Sequence, residues 1–303
     1  MKSQGQAGVA NRGSIHGLVL LCQVQPAHLA SLRLKLAKLP SLAASLDERF
    51  SESLLTVTAA FGEDAFRQLG ALAPAHRFSD LPSFDQSPAS LNVTTIDIAL
   101  IIRSERYDSC FFAGRVLTEW FAADVEMLAD YNFFHYLDNR NLFGFKCWRD
   151  TLLGAERRNL LALQAEHEPL WDQGSYLILQ HQRIADQAWQ QLKPEQQEQL
   201  IGRNKLSGEP ILTDRPNHFS KVQEHLGQAL LWHQMPIASM NEQSHLELLW
   251  SNTPDAAHHW LAQRIEDDED GFRDPILDYQ DNLLSAAFFV PPLPWFEHLK
   301  SVF

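Results

Sequence analysis

Three stretches of the C-terminal half decide how the chain folds: GSYLILQHQR at 174–183, PEQQEQLIGRNKLSGEPI at 194–211, and DRPNHFSKVQEHLGQALLWHQMPIAS at 214–239. The first is a β-rich run, the second a polar helix, and the third a proline-bounded loop that leads into a second apolar run. Elements in this order present one imidazole, that of His218, to a bound cofactor. Taken alone, a histidine beside Asn and Phe after a proline is more typical of a turn or of a partly buried polar residue.

The N-terminal half has the pattern strand, helix, strand, strand, helix, strand, which is the ferredoxin-like order. A second, looser copy of this order begins at Gly174, although the two halves share no obvious sequence repeat. Sheets of this type bury one face under helices and leave the other free to contact a second sheet. We therefore predict an α+β fold of two ferredoxin-like domains, at 1–150 and 174–303, joined by a helical linker at 151–173. The predicted N-terminal elements are strands at 15–24, 53–62, 95–103 and 131–139, and helices at 28–39 and 108–130.

Composition and charge narrow the class of function. The 303 residues carry 25 Lys and Arg against 38 Asp and Glu, a formal net charge of −13. Such an acidic chain is a poor partner for nucleic acid, whose phosphates require a basic surface, and for an anionic membrane surface. No apolar run reaches the roughly 18 residues of a transmembrane helix, and no secretory leader is evident. We therefore predict a cytoplasmic protein that binds neither nucleic acid nor membrane.

The three cysteines do not form a metal or disulfide pattern. They stand at 22, 110 and 147, without CxxC, CxxCH or zinc-site spacing. The sequence therefore predicts no disulfide framework, no covalent haem and no iron–sulfur cluster.

Short pieces of the C-terminal half resemble, in their order, the dye-decolorising (DyP-type) haem peroxidases. They are GSY at 174–176, IGR at 201–203, NH at 217–218, MP at 235–236, and ILDY at 276–279 leading to FFVP at 288–291. The N-terminal half has counterparts in that family at QAGV (6–9), SLLTVTAAFGEDAF (53–66), TIDIALIIR (95–103) and NLFGF (141–145). The resemblance implies an α+β barrel that holds haem mainly in its C-terminal half.

This resemblance also implies a cofactor and two of its partners in the chain. The cofactor is a non-covalent haem b, with His218 as the axial iron ligand and Asp278 as the acid that orients it. The pair is chemically coherent, because a neutral imidazole gives one ring nitrogen to iron while a carboxylate on the other fixes the tautomer. Arg203 could reach a haem propionate, but an arginine at a helix end caps carbonyls or pairs with Glu about as often.

The chain departs from the family at the positions that handle peroxide. Peroxide cleavage needs a group that moves a proton and a donor that stabilises charge, and the family supplies an Asp and an Arg. In GFKCW (144–148), Cys147 stands at the position of the Asp. In WHQMPI (232–237), Trp232 replaces the Arg and Gln234 replaces an Asn. Both principal distal groups are therefore substituted.

Three hypotheses remain open at this point. In the first, the protein is an active peroxidase that uses hydrogen peroxide and an unknown reductant, with Asp150, His233 or Gln234 as substitute groups. His233 is adjacent to Trp232 on a predicted strand and should point to the other face. In the second, the protein binds haem without strong activity, as a sensor or carrier. In the third, it is a haem-free structural relative that assembles with active members or with itself.

Overall fold

The computed structural model describes residues 4–11, 13–69, 81, 84, 89–147, 151–165 and 167–301. Eight strands within these ranges form one antiparallel sheet: β1 His16–Val24, β2 Thr56–Phe61, β3 Ile98–Ser104, β4 Val125–Phe134, β5 Ser175–Ile184, β6 Leu230–Ala238, β7 Gln243–Ser251 and β8 Gln280–Val290. The strand order is β4-β1-β3-β2-β8-β5-β7-β6. The two outer strands, β4 and β6, contact each other, so the sheet curves back on itself.

Helices cover the outer faces of this sheet. They are α1 Ala7–Ala10, α2 Leu29–Arg49, α3 Glu63–Gln68, α4 Tyr107–Phe121, α5 Gly154–Leu161, α6 Asp186–Gln190, α7 Pro194–Ile201, α8 His218–Val222, α9 Pro254–Ile265 and α10 Leu293–His298. Each half of the sheet follows the order strand, helix, strand, strand, helix, strand, with additional short helices. The predicted α+β fold of ferredoxin-like halves is confirmed. The division of the chain at 151–173 stays a prediction.

Alternation of side chains along the strands divides the core into layers. One layer fills the interior between the two halves and includes Val19, Leu179 and Leu248. A second lies between the N-terminal strands and helices α2 and α4. A third lies between β5, β6, β7 and α9, and Trp232 and Trp260 belong to it. The candidate site is therefore part of the outer layer of the C-terminal half.

Three predicted elements are wrong in their bounds. The helix predicted at 28–39 is α2, which continues to Arg49, and the strand predicted at 131–139 is β4, which begins at Val125 and ends at Phe134. The sequence predicts a helix over 108–130, whereas α4 ends at Phe121 and residues 125–134 form strand β4. The residues of β4 are alternately half-buried and exposed from Val125 to Asn132. This alternation is the period of a strand with one buried face, and pairing with β1 overrides the weaker helical spacing that continues from α4.

Among the residues that the structure describes, no helix combines the length and the apolar character that crossing a membrane requires.

Candidate active site

His218 is the first residue of the short helix α8. The preceding residue, Asn217, caps this helix: its side-chain oxygen accepts from the backbone N of Ser220 at 2.8 Å, and the Ser220 hydroxyl accepts from the backbone N of Asn217 at 3.0 Å. This reciprocal capping box fixes the direction of the first helical turn. The His218 side chain is thereby directed inward, and 8% of the residue is exposed.

The acid that contacts His218 is Asp274, not the predicted Asp278. His218 Nδ1 lies 2.9 Å from Oδ2 and 3.1 Å from Oδ1 of Asp274. Because a carboxylate only accepts, Nδ1 carries the proton and Nε2 is the nitrogen available for a ligand. Asp278 instead forms an ion pair with Arg273 at 2.5 Å, and 59% of its side chain is exposed. The assignment of Asp278 as the orienting acid is wrong because the Pro275–Tyr279 turn directs its carboxylate outward.

Arg264 of α9 joins this pair to a second acid. Its Nε donates to Asp274 Oδ2 at 2.8 Å, and its Nη1 donates to Glu247 Oε2 at 3.4 Å. Burial raises the pKa of Asp274, but its electrostatic interactions and hydrogen bonds with His218 and Arg264 outweigh burial and hold that pKa well below its usual range. Burial lowers the pKa of Arg264, and the two carboxylates more than compensate, so that pKa is raised. Asp274, Arg264 and Glu247 form this ion network, and each is at least 98% buried.

Trp232 and Gln234 occupy the same face of the sheet as Glu247. Gln234 is directly opposite Glu247 in the β6–β7 register, and its Nε2 donates to Glu247 Oε1 at 3.0 Å. Trp232 Nε1 donates to Glu247 Oε2 at 3.1 Å. The indole of Trp232 also meets the His218 imidazole edge to face, with 5.7 Å between the ring centroids. Two predicted positions, 218 and 232, are therefore in direct contact.

Cys147 lines the small cavity that His218 and Trp232 also line. It follows a turn at Gly144, whose φ of +90° favours glycine. The Cys147 thiol is 3.8 Å from the backbone O of Gln234. Burial, with a smaller contribution from the charge of Glu247, raises the pKa of Cys147 to about 12. The thiol is therefore protonated at neutral pH, and it is a poor proton acceptor.

The other candidates for a substitute distal group differ in location. His233 lies on the opposite face of β6 from Trp232, and its Nδ1 is 3.5 Å from Arg103 Nη2. Asp150 lies outside the described residues. Gln234 keeps an amide, but its Nε2 is committed to Glu247 and its Oε1 accepts from Asn141 Nδ2 at 2.8 Å.

Two protein-family models match this chain. The model described as "Dyp-type peroxidase, C-terminal" matches residues 138–294, and "Dyp-type peroxidase, N-terminal" matches residues 28–132. The chain belongs to the Dyp-type peroxidase family. Membership of a peroxidase family implies hydrogen peroxide as the oxidant.

Relatives of known description share the whole length of the fold. The dye-decolorizing peroxidase of Mycobacterium tuberculosis is 25% identical over 287 residues, which cover 87% of this chain and 81% of that protein. A dyp-type peroxidase protein of Shewanella oneidensis has a TM-score of 0.90 at 22% identity, with 98% of each chain covered. A variant of Rhodococcus jostii DypB, solved in complex with heme, has a TM-score of 0.84 at 22% identity and covers 96% of this chain and 97% of its own.

Haem, the cofactor of these Dyp-type relatives, matches only part of the site in this chain. The donor set beside His218 suits a haem iron, because a neutral imidazole with a carboxylate on Nδ1 is a typical axial ligand. The space does not suit it. Ring pairs with centroids 4.5–7 Å apart are in direct contact, so the 5.7 Å between His218 and Trp232 leaves no layer for a macrocycle. The cavity lined by His218, Trp232 and Cys147 measures about 40 Å³, room for roughly three water molecules.

The sequence analysis did not predict three residues of this Dyp-type site: Glu247, Arg264 and Asp274. Each leaves a signal in the sequence. Glu247 is a lone acid within the apolar run HLELLW, and a charge in a buried strand requires a partner. Arg264 stands four residues after Trp260 and seven after Ala257, on the apolar face of α9. Asp274 precedes a proline, and its side chain accepts from Ile276 N at 3.2 Å as a helix N-cap.

Proposed function

We propose that this Dyp-type family member has lost peroxide-dependent oxidation, or retains it only weakly. The observation that carries this proposal is the direct contact between Trp232 and His218, with ring centroids 5.7 Å apart. The indole takes the space in which the cofactor and peroxide of a working site would lie. Cys147 and Gln234 stand at the positions of two of the family's distal groups, and Arg203 and Lys146 line the same cavity.

Neither Cys147 nor Gln234 replaces a carboxylate or a guanidinium. A general acid–base works best when its pKa is near the operating pH, and the pKa of Cys147 is raised to about 12. Peroxide also oxidises a thiol, which then no longer serves as a reusable base. The Gln234 amide is neutral and already bonded to Glu247 and Asn141. At positions 147 and 234 the chain therefore offers neither a reusable proton acceptor nor a charged donor.

Glu247 is a further acid that contacts two residues of the cavity lining, Trp232 and Gln234. Its Oε1 accepts from Gln234, and its Oε2 accepts from Trp232 and Arg264. Three donors thus engage its two oxygens, and the carboxylate contacts the Trp232 indole nitrogen rather than His218. We therefore assign Glu247 a role in holding Trp232 and Gln234 in place.

A second candidate function is haem binding without turnover, as in a sensor or carrier. The His218–Asp274 pair favours it, because this pair presents one free imidazole nitrogen in the manner of an iron ligand. Arg203 lines the same cavity, and its Nε is buried without a hydrogen-bond partner, so it could receive an anionic group of a ligand. A cytoplasmic location, self-association and the identity of a reductant stay predictions.

Dye oxidation tests the first proposal. The purified protein, supplied with haemin and hydrogen peroxide, should oxidise dye no faster than free haemin does, and His218→Ala should leave that rate unchanged. The double variant Cys147→Asp with Trp232→Arg should raise the rate by about a hundredfold or more, since a positioned acid–base typically contributes 10²–10⁴. A wild-type rate typical of efficient peroxidases, abolished by His218→Ala, contradicts the proposal.

A further inference from the structure

Trp232 has four neighbours that together hold its indole in one place. Its ring lies 5.7 Å from His218, 5.2 Å from Trp260 and 5.3 Å from the guanidinium carbon of Arg264. Its Nε1 donates to Glu247 at 3.1 Å. Since 6% of the residue is exposed, the side chain behaves as a core residue rather than as a mobile gate at the surface.

The two buried carboxylates near the indole share one cation, Arg264. Arg264 lies between the carboxylates of Asp274 and Glu247, and its guanidinium carbon is 4.8 Å from the ring centre of Trp260. A buried carboxylate without a cation or donors is costly, and here Arg264 supplies the cation for both. Asp274 and Glu247 therefore both have donors within the protein, while the Trp232 indole lies beside His218. Arg264 Nη2 is buried without a hydrogen-bond partner among the described residues.

The geometry points to Trp232 as a built-in plug: residue 232, rather than the His218–Asp274 pair, sets the affinity of this chain for haem. This inference rests on the proposed loss of peroxidase function and deepens it. The His218–Asp274 pair is present, but the indole occupies the space in which haem would bind to it. Removing the indole joins its volume to the present cavity. The enlarged space faces His218 and has apolar walls that include Ile201, Val222 and Leu226.

A haemin titration followed by absorbance tests the plug. Wild type should show weak binding without the band of histidine-ligated ferric haem. Trp232→Ala should bind haemin at one equivalent, at least about tenfold more tightly, with that band present. Trp232→Ala combined with His218→Ala should lose the band. Trp232→Phe, which keeps a ring beside His218, should behave like wild type.

A matched truncation elsewhere controls for general loosening. Trp295 is fully buried in the N-terminal core layer, so Trp295→Ala removes an equal side chain far from His218. It should leave haemin binding as in wild type. If Trp232→Ala is too unstable to titrate, Trp232→Leu replaces it and urea unfolding with and without haemin gives the readout. A ligand that binds only the folded state raises the midpoint, so haemin should stabilise Trp232→Leu and not wild type.

Two results overturn the plug: wild type that binds haemin as tightly as Trp232→Ala through His218, or Trp232→Ala and Trp232→Leu that gain no histidine-ligated binding. These outcomes are separate from failure of the proposed function, which is decided by dye oxidation. A wild type that binds haem tightly but oxidises no dye rejects the plug and supports the second candidate function.

Discussion

Asp274 Oδ2 accepts from His218 Nδ1 at 2.9 Å, and the same oxygen accepts from Arg264 Nε at 2.8 Å. One buried carboxylate therefore orients the imidazole and balances the guanidinium. Asp274→Asn places an amide where two donors point, so the variant should lose at least about 3 kcal/mol of unfolding free energy. Asp278→Asn is the matched control, and it should change little because that carboxylate is exposed. Urea unfolding measures both, and a larger loss in Asp278→Asn is incompatible with the assignment.

Arg264 should be the most sensitive member of the ion network. Arg264→Met leaves the buried carboxylates of Asp274 and Glu247 without their cation and should cost about 3–5 kcal/mol. Glu247→Gln should cost less, about 1–3 kcal/mol, because Arg264 keeps Asp274 and the amide oxygen still accepts from Trp232. Arg183→Met, which breaks an exposed pair with Asp281, provides the control. Chemical denaturation of the set ranks them, and equal losses in Arg264→Met and Arg183→Met refute a central role for Arg264.

His245 should contribute to loss of stability in acid. The residue is fully buried, and burial, with a smaller effect of His218, lowers the pKa of His245 from its ordinary 6.5 to about 3. Between these values the unfolded chain binds a proton that the folded chain does not, so stability is present above pH 6.5 and is lost as pH falls toward about 3. His245→Gln keeps an acceptor for Leu142 N and should flatten this dependence. His298→Gln, at an exposed site, should leave the slope unchanged; the reverse pattern in unfolding free energies from pH 7 to 4 contradicts the prediction.

Cys147 should react slowly with thiol reagents in the folded protein. Its pKa is raised to about 12, so the reactive thiolate is scarce at pH 8, and Cys22 and Cys110 are raised to about 12 as well. The alkylation rate should keep rising about tenfold per pH unit beyond pH 9 rather than levelling there. In denatured protein all three thiols should react at once, and in denatured Cys147→Ser two should react. Rapid modification of one native thiol, absent in Cys147→Ser, argues for an activated cysteine instead.

Much of the fold follows from local patterns in the sequence. Apolar runs such as those at 16–24 and 175–184 predict strands because both faces of these segments are buried. The helical pattern of α4 continues past its true end, since the spacing of Phe121, Val125 and Leu128 fits a helix as well as it fits the start of β4. Only pairing with β1 decides between the two, and pairing is a tertiary property.

The site was harder to predict than the fold. Capping by Asn217 fixes the direction of His218 through neighbouring residues alone. The resemblance to the family identified His218 from short motifs. Asp274 and Asp278 are four residues apart in DPILD, and the sequence alone does not show which carboxylate turns inward. The contact of Trp232 with His218 joins β6 to α8 through space. The proposed loss of the distal groups rests on the sequence, whereas the contact between Trp232 and His218 is visible only in three dimensions.

A crystal structure of the protein, expressed with haem precursor supplied and purified without added ligand, tests the central claim most directly. The account predicts an indole at position 232 in contact with the His218 ring, near the 5.7 Å centroid distance, with Nε1 bonded to Glu247. It predicts no tetrapyrrole between the two rings. A haem whose iron is bound by His218 Nε2, with Trp232 turned away from Glu247, would contradict it.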